Sequence, residues 1–170
     1  MKQSKLLLLL SILFSALNIY AFAQDTLPTV TVVSLNYKYL KSAYDTTAAQ
    51  PVRLLQHRAA SYDVKNSDYY EEDYDNYFIS FFIPKGEVLA TYNADGKIVS
   101  TAERFKTVAL PKVVVEAVTN RYPNWRITND TYLVNYFSES NTTKKVYKLL
   151  LENGNKRIRV KTNEKGEFIE

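Results

Sequence analysis

One pattern of three short strands and two turns occurs twice in this chain, seventy positions apart. The second copy fills residues 146–170, VYKLLLENGNKRIRVKTNEKGEFIE, with turns at Asn153-Gly154 and Glu164-Lys165-Gly166. The first is YFISFFIPKGEVLATYNADGKIVS over residues 77–100, so that Tyr77 answers Tyr147 and Gly96 answers Gly166. All four glycines of the chain, Gly86, Gly96, Gly154 and Gly166, fall at the corresponding turns of these meanders. Asn-Gly and Asp-Gly pairs close hairpins because glycine accepts positive φ without strain. A meander with apolar residues on alternate positions must bury one face, so each copy demands a cover.

The covers are legible as two amphipathic segments. Pro51 opens VRLLQHRAASYDVK, in which Val52, Leu55, Ala59 and Tyr62 recur at three- and four-residue spacing. Proline is tolerated at a first helical position, and the spacing predicts a helix from about Pro51 to Tyr62. Leu110-Pro111 opens KVVVEAVTNRY, whose Val114, Ala117 and Val118 share a face and which Pro123 stops. The β-branched and aromatic run TVTVVSLNYKYL at 29–40 predicts a strand, and residues 42–50 a polar linker. Trp125-Arg126-Ile127 and residues 132–137 read as two strands around a polar break, Thr128-Asn129-Asp130. The expected fold is α+β: two tandem units, each a helix plus an antiparallel meander, with the helices packed on one face.

The N-terminus carries Lys2 and Lys5, an apolar run over 6–14, and Ala21-Phe22-Ala23 before Gln24. A basic region, an apolar core and an A-x-A site predict a secretory signal peptide over 1–23 and a periplasmic or secreted product. Asn18 and Tyr20 break the run, so a retained membrane anchor is the weaker alternative and no span is expected after cleavage. The 170 residues include no cysteine, so no disulfide staples the exported chain. Without Lys2 and Lys5, 20 basic and 18 acidic residues remain, a net +2 that carries no nucleic-acid signature. The charge is uneven: residues 24–100 balance at −3 and residues 101–170 at +5.

The helix opened by Leu-Pro, the exit Tyr122-Pro123-Asn124-Trp125, the strand Tyr147-Lys148-Leu149-Leu150-Leu151, the basic strand after it and the Asn163-Glu164-Lys165-Gly166 turn resemble a known family. It is the PepSY-like, beta-lactamase-inhibitor-like family, small exported modules of Gram-negative bacteria. The resemblance is best over 109–170 and weaker over 51–105, and it implies a first unit at 51–108 and a second at 109–170, after the N-terminal strand and linker at 24–50. It implies helices on one face of an antiparallel sheet, and a binding or inhibitory role without a catalytic signature.

Parity then separates two faces. Tyr147, Leu149, Leu151, Ile158 and Val160 point to the covered side, and Lys148, Arg157, Arg159 and Lys161 to the open side. Carried back seventy residues, the rule puts Tyr77, Ile79 and Phe81 under cover and leaves Phe78 and Phe82 open. These six open residues form the candidate partner-binding face, aromatic in one copy and basic in the other. The alternative is that the strand at 29–40 or a second subunit covers Phe78 and Phe82. The acidic run 67–77, SDYYEEDYDNY, offers Asp68, Glu71, Glu72, Asp73 and Asp75 as weak metal candidates, but it lacks the glycine and the terminal glutamate of a calcium loop. No metal and no cofactor is expected.

Catalysis has little to build on. His57 is the single histidine, placed beside Gln56 and Arg58 on the expected polar side of its helix. There is no cysteine nucleophile, no G-x-S-x-G elbow and no glycine-rich phosphate loop. The expectation is a non-enzymatic module that binds an unknown protein, peptide or envelope component through its open sheet face. The alternatives are a structural protein that homodimerises through that face and a cation-binding module built on the acidic loop.

Overall fold

The computed structural model describes residues 36–170. The expected signal peptide, and the stretch of the expected first strand over 29–35, lie outside the described residues. Within them the order is α1 (Tyr37–Ala43), α2 (Gln50–Ser61), β1 (Asn76–Ile83), β2 (Gly86–Asn93), β3 (Ile98–Lys106), α3 (Lys112–Arg121), β4 (Arg126–Phe137), β5 (Thr142–Asn153), β6 (Lys156–Thr162) and β7 (Phe168–Ile169). The strands form one antiparallel sheet in sequence order, β1 to β7. The two meanders are therefore parts of one continuous sheet, and the fold is α+β with the helices packed against it.

Three expectations change. Residues 37–40 are helical, not extended: α1 buries Tyr39 and Ala43 one turn apart, and this tertiary anchorage outweighs the strand preference of a β-branched and aromatic run. The two short strands expected around residues 128–130 are one twelve-residue strand, β4, with a register shift between Ile127 and Asn129. A bulge absorbs the polar residue that had looked like a break. Gln56 does not lie on a polar surface; it is fully buried on α2, while His57 is exposed and meets the Tyr44 ring edge-on at 4.9 Å.

The turns of the two copies match in every bond made to a backbone group, and the second adds one from Asn163 Nδ2 to Glu167 Oε2 at 2.6 Å. Asn93 Oδ1 accepts the N–H groups of Asp95 and Lys97, and Asn163 Oδ1 accepts those of Lys165 and Glu167. Gly96 and Gly166 donate back to the Asn93 and Asn163 carbonyls, at φ of 75° and 79°. An asparagine side chain that mimics a backbone turn, followed by a left-handed glycine, is a local solution that sequence alone encodes.

One core lies under the sheet. Val52, Leu55 and Ala59 of α2 join Val88, Ala90 and Tyr92 of β2, while Val114 and Val118 of α3 share the same cluster with Leu149, Leu151 and Val160. A row of direct cross-strand partners, Phe105, Tyr132 and Tyr147, runs through its middle. The Tyr132 and Tyr147 rings stack at 4.4 Å. α3 closes the far end: Gly166 approaches so near that a Cβ there would come within 2.9 Å of the Val113 carbonyl oxygen.

Candidate functional site

The face of the sheet opposite the helices is open, and strand parity decides what it shows. Phe78 and Phe82 are 70% and 78% exposed. Across the hairpin, Phe78 faces Thr91, Ser80 faces Leu89 and Phe82 faces Glu87. Leu89, 42% exposed, extends the aromatic patch onto β2. Phe137 is 51% exposed and shares a cross-strand row with Phe78 through Thr91 and Ser100. Neither Leu89 nor Phe137 was singled out from the sequence. The signal for Leu89 was present, since it alternates with the buried Val88 and Ala90. Phe137 ends its strand, where alternation loses its neighbour on one side.

The basic row lies at the other end of the same face. Lys148, Arg157, Arg159 and Lys161 are all exposed. Lys148 is the direct partner of Lys161, and Arg159 faces Leu150. Together with Asn129, Thr131 and Leu150 they border a shallow depression of about 530 Å3, from which Arg157 is absent. Arg157 instead pairs with Glu152 at 2.8 Å, and Lys161 Nζ donates to the Glu170 carbonyl at 3.0 Å. Neighbouring strands are about 4.8 Å apart, so the four steps from β1 to β5 separate the aromatic and basic ends by roughly 19 Å. The six residues share a face but form two patches, not one pocket.

The acidic candidates behave differently. Asp68, Glu71, Glu72, Asp73 and Asp75 are exposed, and among the described residues no group of three or more His, Asp or Glu side chains converges as a metal cage would. The loop is held by its tyrosines: Tyr70 stacks on Tyr77 at 5.4 Å, and the Tyr77 hydroxyl donates to the Glu71 carbonyl.

A buried carboxylate that the sequence did not signal is Glu103, on the covered face of β3 and 3% exposed. Its Oε1 accepts hydrogen bonds from the Tyr39 hydroxyl at 2.7 Å and the Thr101 hydroxyl at 2.9 Å, and its Oε2 accepts one from Gln56 Nε2 at 2.9 Å. Burial raises the Glu103 carboxyl above its ordinary value, against the pull of those three donors and of Lys145. The Tyr39 hydroxyl is raised for the same reason, with the Glu103 charge adding to it. All three donors come from the chain itself, so the group ties α1 and α2 to the sheet. Asp130 does similar work at the other helix: its Oδ2 accepts the Val108 N–H at 3.0 Å and steadies the approach to α3.

No family model matches this chain. No curated protein matches it either. Two solved structures are similar. A DUF2874 family protein from Bacteroides ovatus ATCC 8483 is 18% identical over 59% of this chain and 70% of its own, with a TM-score of 0.35. A BLIP-like protein from Bacteroides fragilis NCTC 9343 is 17% identical over 59% of this chain and 69% of its own, with a TM-score of 0.33. One of them carries the inhibitor-like name that the motifs suggested, and neither is named for PepSY. Both superpositions are loose, so the site stands on its own residues. Among the described residues no helix is long and apolar enough to cross a membrane.

Proposed function

We propose that this chain is an exported, non-catalytic binding module that presents the open face of its sheet to a protein, peptide or envelope partner. The observation that carries the reading is the exposure of Phe78 and Phe82 on a face that no described helix covers. Large aromatic side chains gathered on an uncovered surface mark interaction sites, because isolated chains normally keep such surface small. The basic patch at Lys148, Arg159 and Lys161 favours a partner with an acidic region about four strands away from an apolar one. A non-catalytic role is supported by what the titratable groups do: His57 is exposed on a helix, and Glu103 is spent on three internal hydrogen bonds.

The double variant Phe78→Ser/Phe82→Ser tests the reading. Capture of partners from a periplasmic extract should be lost while the thermal midpoint stays within about 2 °C of wild type, as for surface substitutions generally. A collapse of the midpoint would assign both rings to the packed core instead. Export has its own check, since N-terminal sequencing of the secreted protein should begin at Gln24.

A further inference from the structure

We propose that β1 is a strand-addition edge for a second copy of this chain, the two β1 strands running antiparallel about a two-fold axis at Ser80. The proposal concerns the edge of the sheet and does not rest on the open-face reading.

The first observation is a missing neighbour. Seventy residues on, β5 is the counterpart of β1, and it is paired on both sides, by β4 and by β6. In the first copy the place of β4 is taken by the irregular acidic segment, and among the described residues β1 pairs with β2 alone. An edge strand leaves a row of N–H and C=O groups free to template another strand.

The second is the absence of any guard. Natural edges are blunted by charge, above all lysine, or by proline. β6, near the opposite edge, reads KRIRVKT and carries four basic residues. β1 reads NYFISFFI, with neither a charge nor a proline.

The third is self-complementarity. The two-residue loop Pro84-Lys85 closes on the pair Ile83 and Gly86, which in such hairpins exchanges both hydrogen bonds. Counting back by twos, Ile83, Phe81, Ile79 and Tyr77 turn their backbone groups toward β2, so Asn76, Phe78, Ser80 and Phe82 turn theirs outward. With the axis at Ser80, Phe78 lies opposite Phe82 of the second copy, and the pair recurs by symmetry. Directly opposed aromatic side chains are favourable cross-strand partners. The same register sets Asp75, exposed at the end of the acidic loop, against Lys85 of the second copy, again twice. Lys106 stands beside Lys85, its N–H bonded to the Lys85 carbonyl, so the acidic end of each strand meets a basic turn. Asn76 faces Pro84, which has no N–H, and the ladder ends there.

Sedimentation equilibrium of the purified exported protein tests this. A dimer dissociating in the micromolar range is expected. Asp75→Lys should weaken it about tenfold, and adding Lys85→Asp should restore it, as two symmetric charge pairs require. Because the chain has no cysteine, Ser80→Cys should give a disulfide-linked dimer under mild oxidation, and Thr91→Cys on β2 should not. A monomer at every concentration overturns the proposal. If the Ser80 amide of that monomer is protected from hydrogen exchange, the edge is covered within the chain; if it exchanges freely, nothing covers it. A dimer indifferent to the 75/85 charge swap, yet lost in Phe78→Ser, would put the contact on the sheet face and overturn the edge register. The swap leaves Phe78 and Phe82 in place, so its failure does not touch the open-face reading.

Discussion

β1 and β5 hold equivalent places in the two copies, but their surroundings differ. On β5, Leu149 and Leu151 are buried, with β4 and β6 beside them and the α3 residues Val114 and Val118 in the same cluster. On β1 the counterparts Ile79 and Phe81 are only half-buried, because among the described residues one flank of the strand has no neighbour. The open faces differ too, with Phe78 and Phe82 in one copy and Lys148 in the other. A shared strand–turn pattern is therefore compatible with an interior strand and with an edge strand. What distinguishes them is the element that precedes each: a twelve-residue strand in the second copy, a charged loop held by tyrosines in the first.

The largest effect is expected at Leu149→Ala, which should cost about 3 kcal/mol by urea unfolding, whereas Ile79→Ala should cost about half as much. Equal losses would mean that β1 is as enclosed as β5, and the edge would be lost as an explanation. Next comes the polar anchor of the first copy. Glu103→Ala leaves Tyr39, Gln56 and Thr101 donors without their acceptor and should cost about 2–3 kcal/mol.

The sign of the pH effect at Glu103 follows from burial. Its carboxyl is raised above the ordinary value of 4.5, so its contribution is complete below that pH and is lost as pH rises through the raised value. Relative to wild type, the urea midpoint of Glu103→Gln should therefore rise as pH increases above about 4.5. A difference that stays constant with pH would show that the folded chain ionises this group as readily as the unfolded one.

The smallest effects belong to the turns, where the two copies should agree. Asn93→Ala and Asn163→Ala each remove two hydrogen bonds that a side-chain oxygen accepts from backbone N–H groups. They should cost about 1 kcal/mol apiece and differ by less than about 0.5. A wide gap, with Asn163→Ala the costlier, would assign real weight to the additional bond from Asn163 Nδ2 to Glu167 Oε2.

Much of the covered face was legible because a strand has a period of two. Tyr147, Leu149 and Val160 are buried while Lys148, Arg159 and Lys161 are exposed, as alternation requires. The same rule, moved seventy residues, placed Phe78 and Phe82 correctly in the open. The helices α2 and α3 followed from apolar spacing and from prolines at their starts. The residues that escaped were those whose role depends on a distant partner. Gln56 looks polar in sequence and is buried because Glu103, 47 positions away, accepts its hydrogen bond. Tyr39 suits a strand and sits in a helix because its hydroxyl reaches the same carboxylate, 64 positions away. Thr128 and Asn129 look like a break, but β5 pairs with β4 on both sides of the bulge, Ile127 with Leu151 and Asn129 with Leu150.

By itself, then, the sequence determined which side of each strand is apolar, where the chain turns, and which stretches around 51–62 and 112–121 are helical. These are local matters, decided by the alternation of side chains, by the positive φ of glycine and by the spacing of one helical turn. The joining of two meanders into a single sheet, the helical conformation of residues 37–40 in place of the expected strand, and the burial of Glu103 are tertiary outcomes. Each depends on which groups meet across tens of residues, because a hydrogen bond or a packed ring takes its strength from the partner and from the exclusion of water around both.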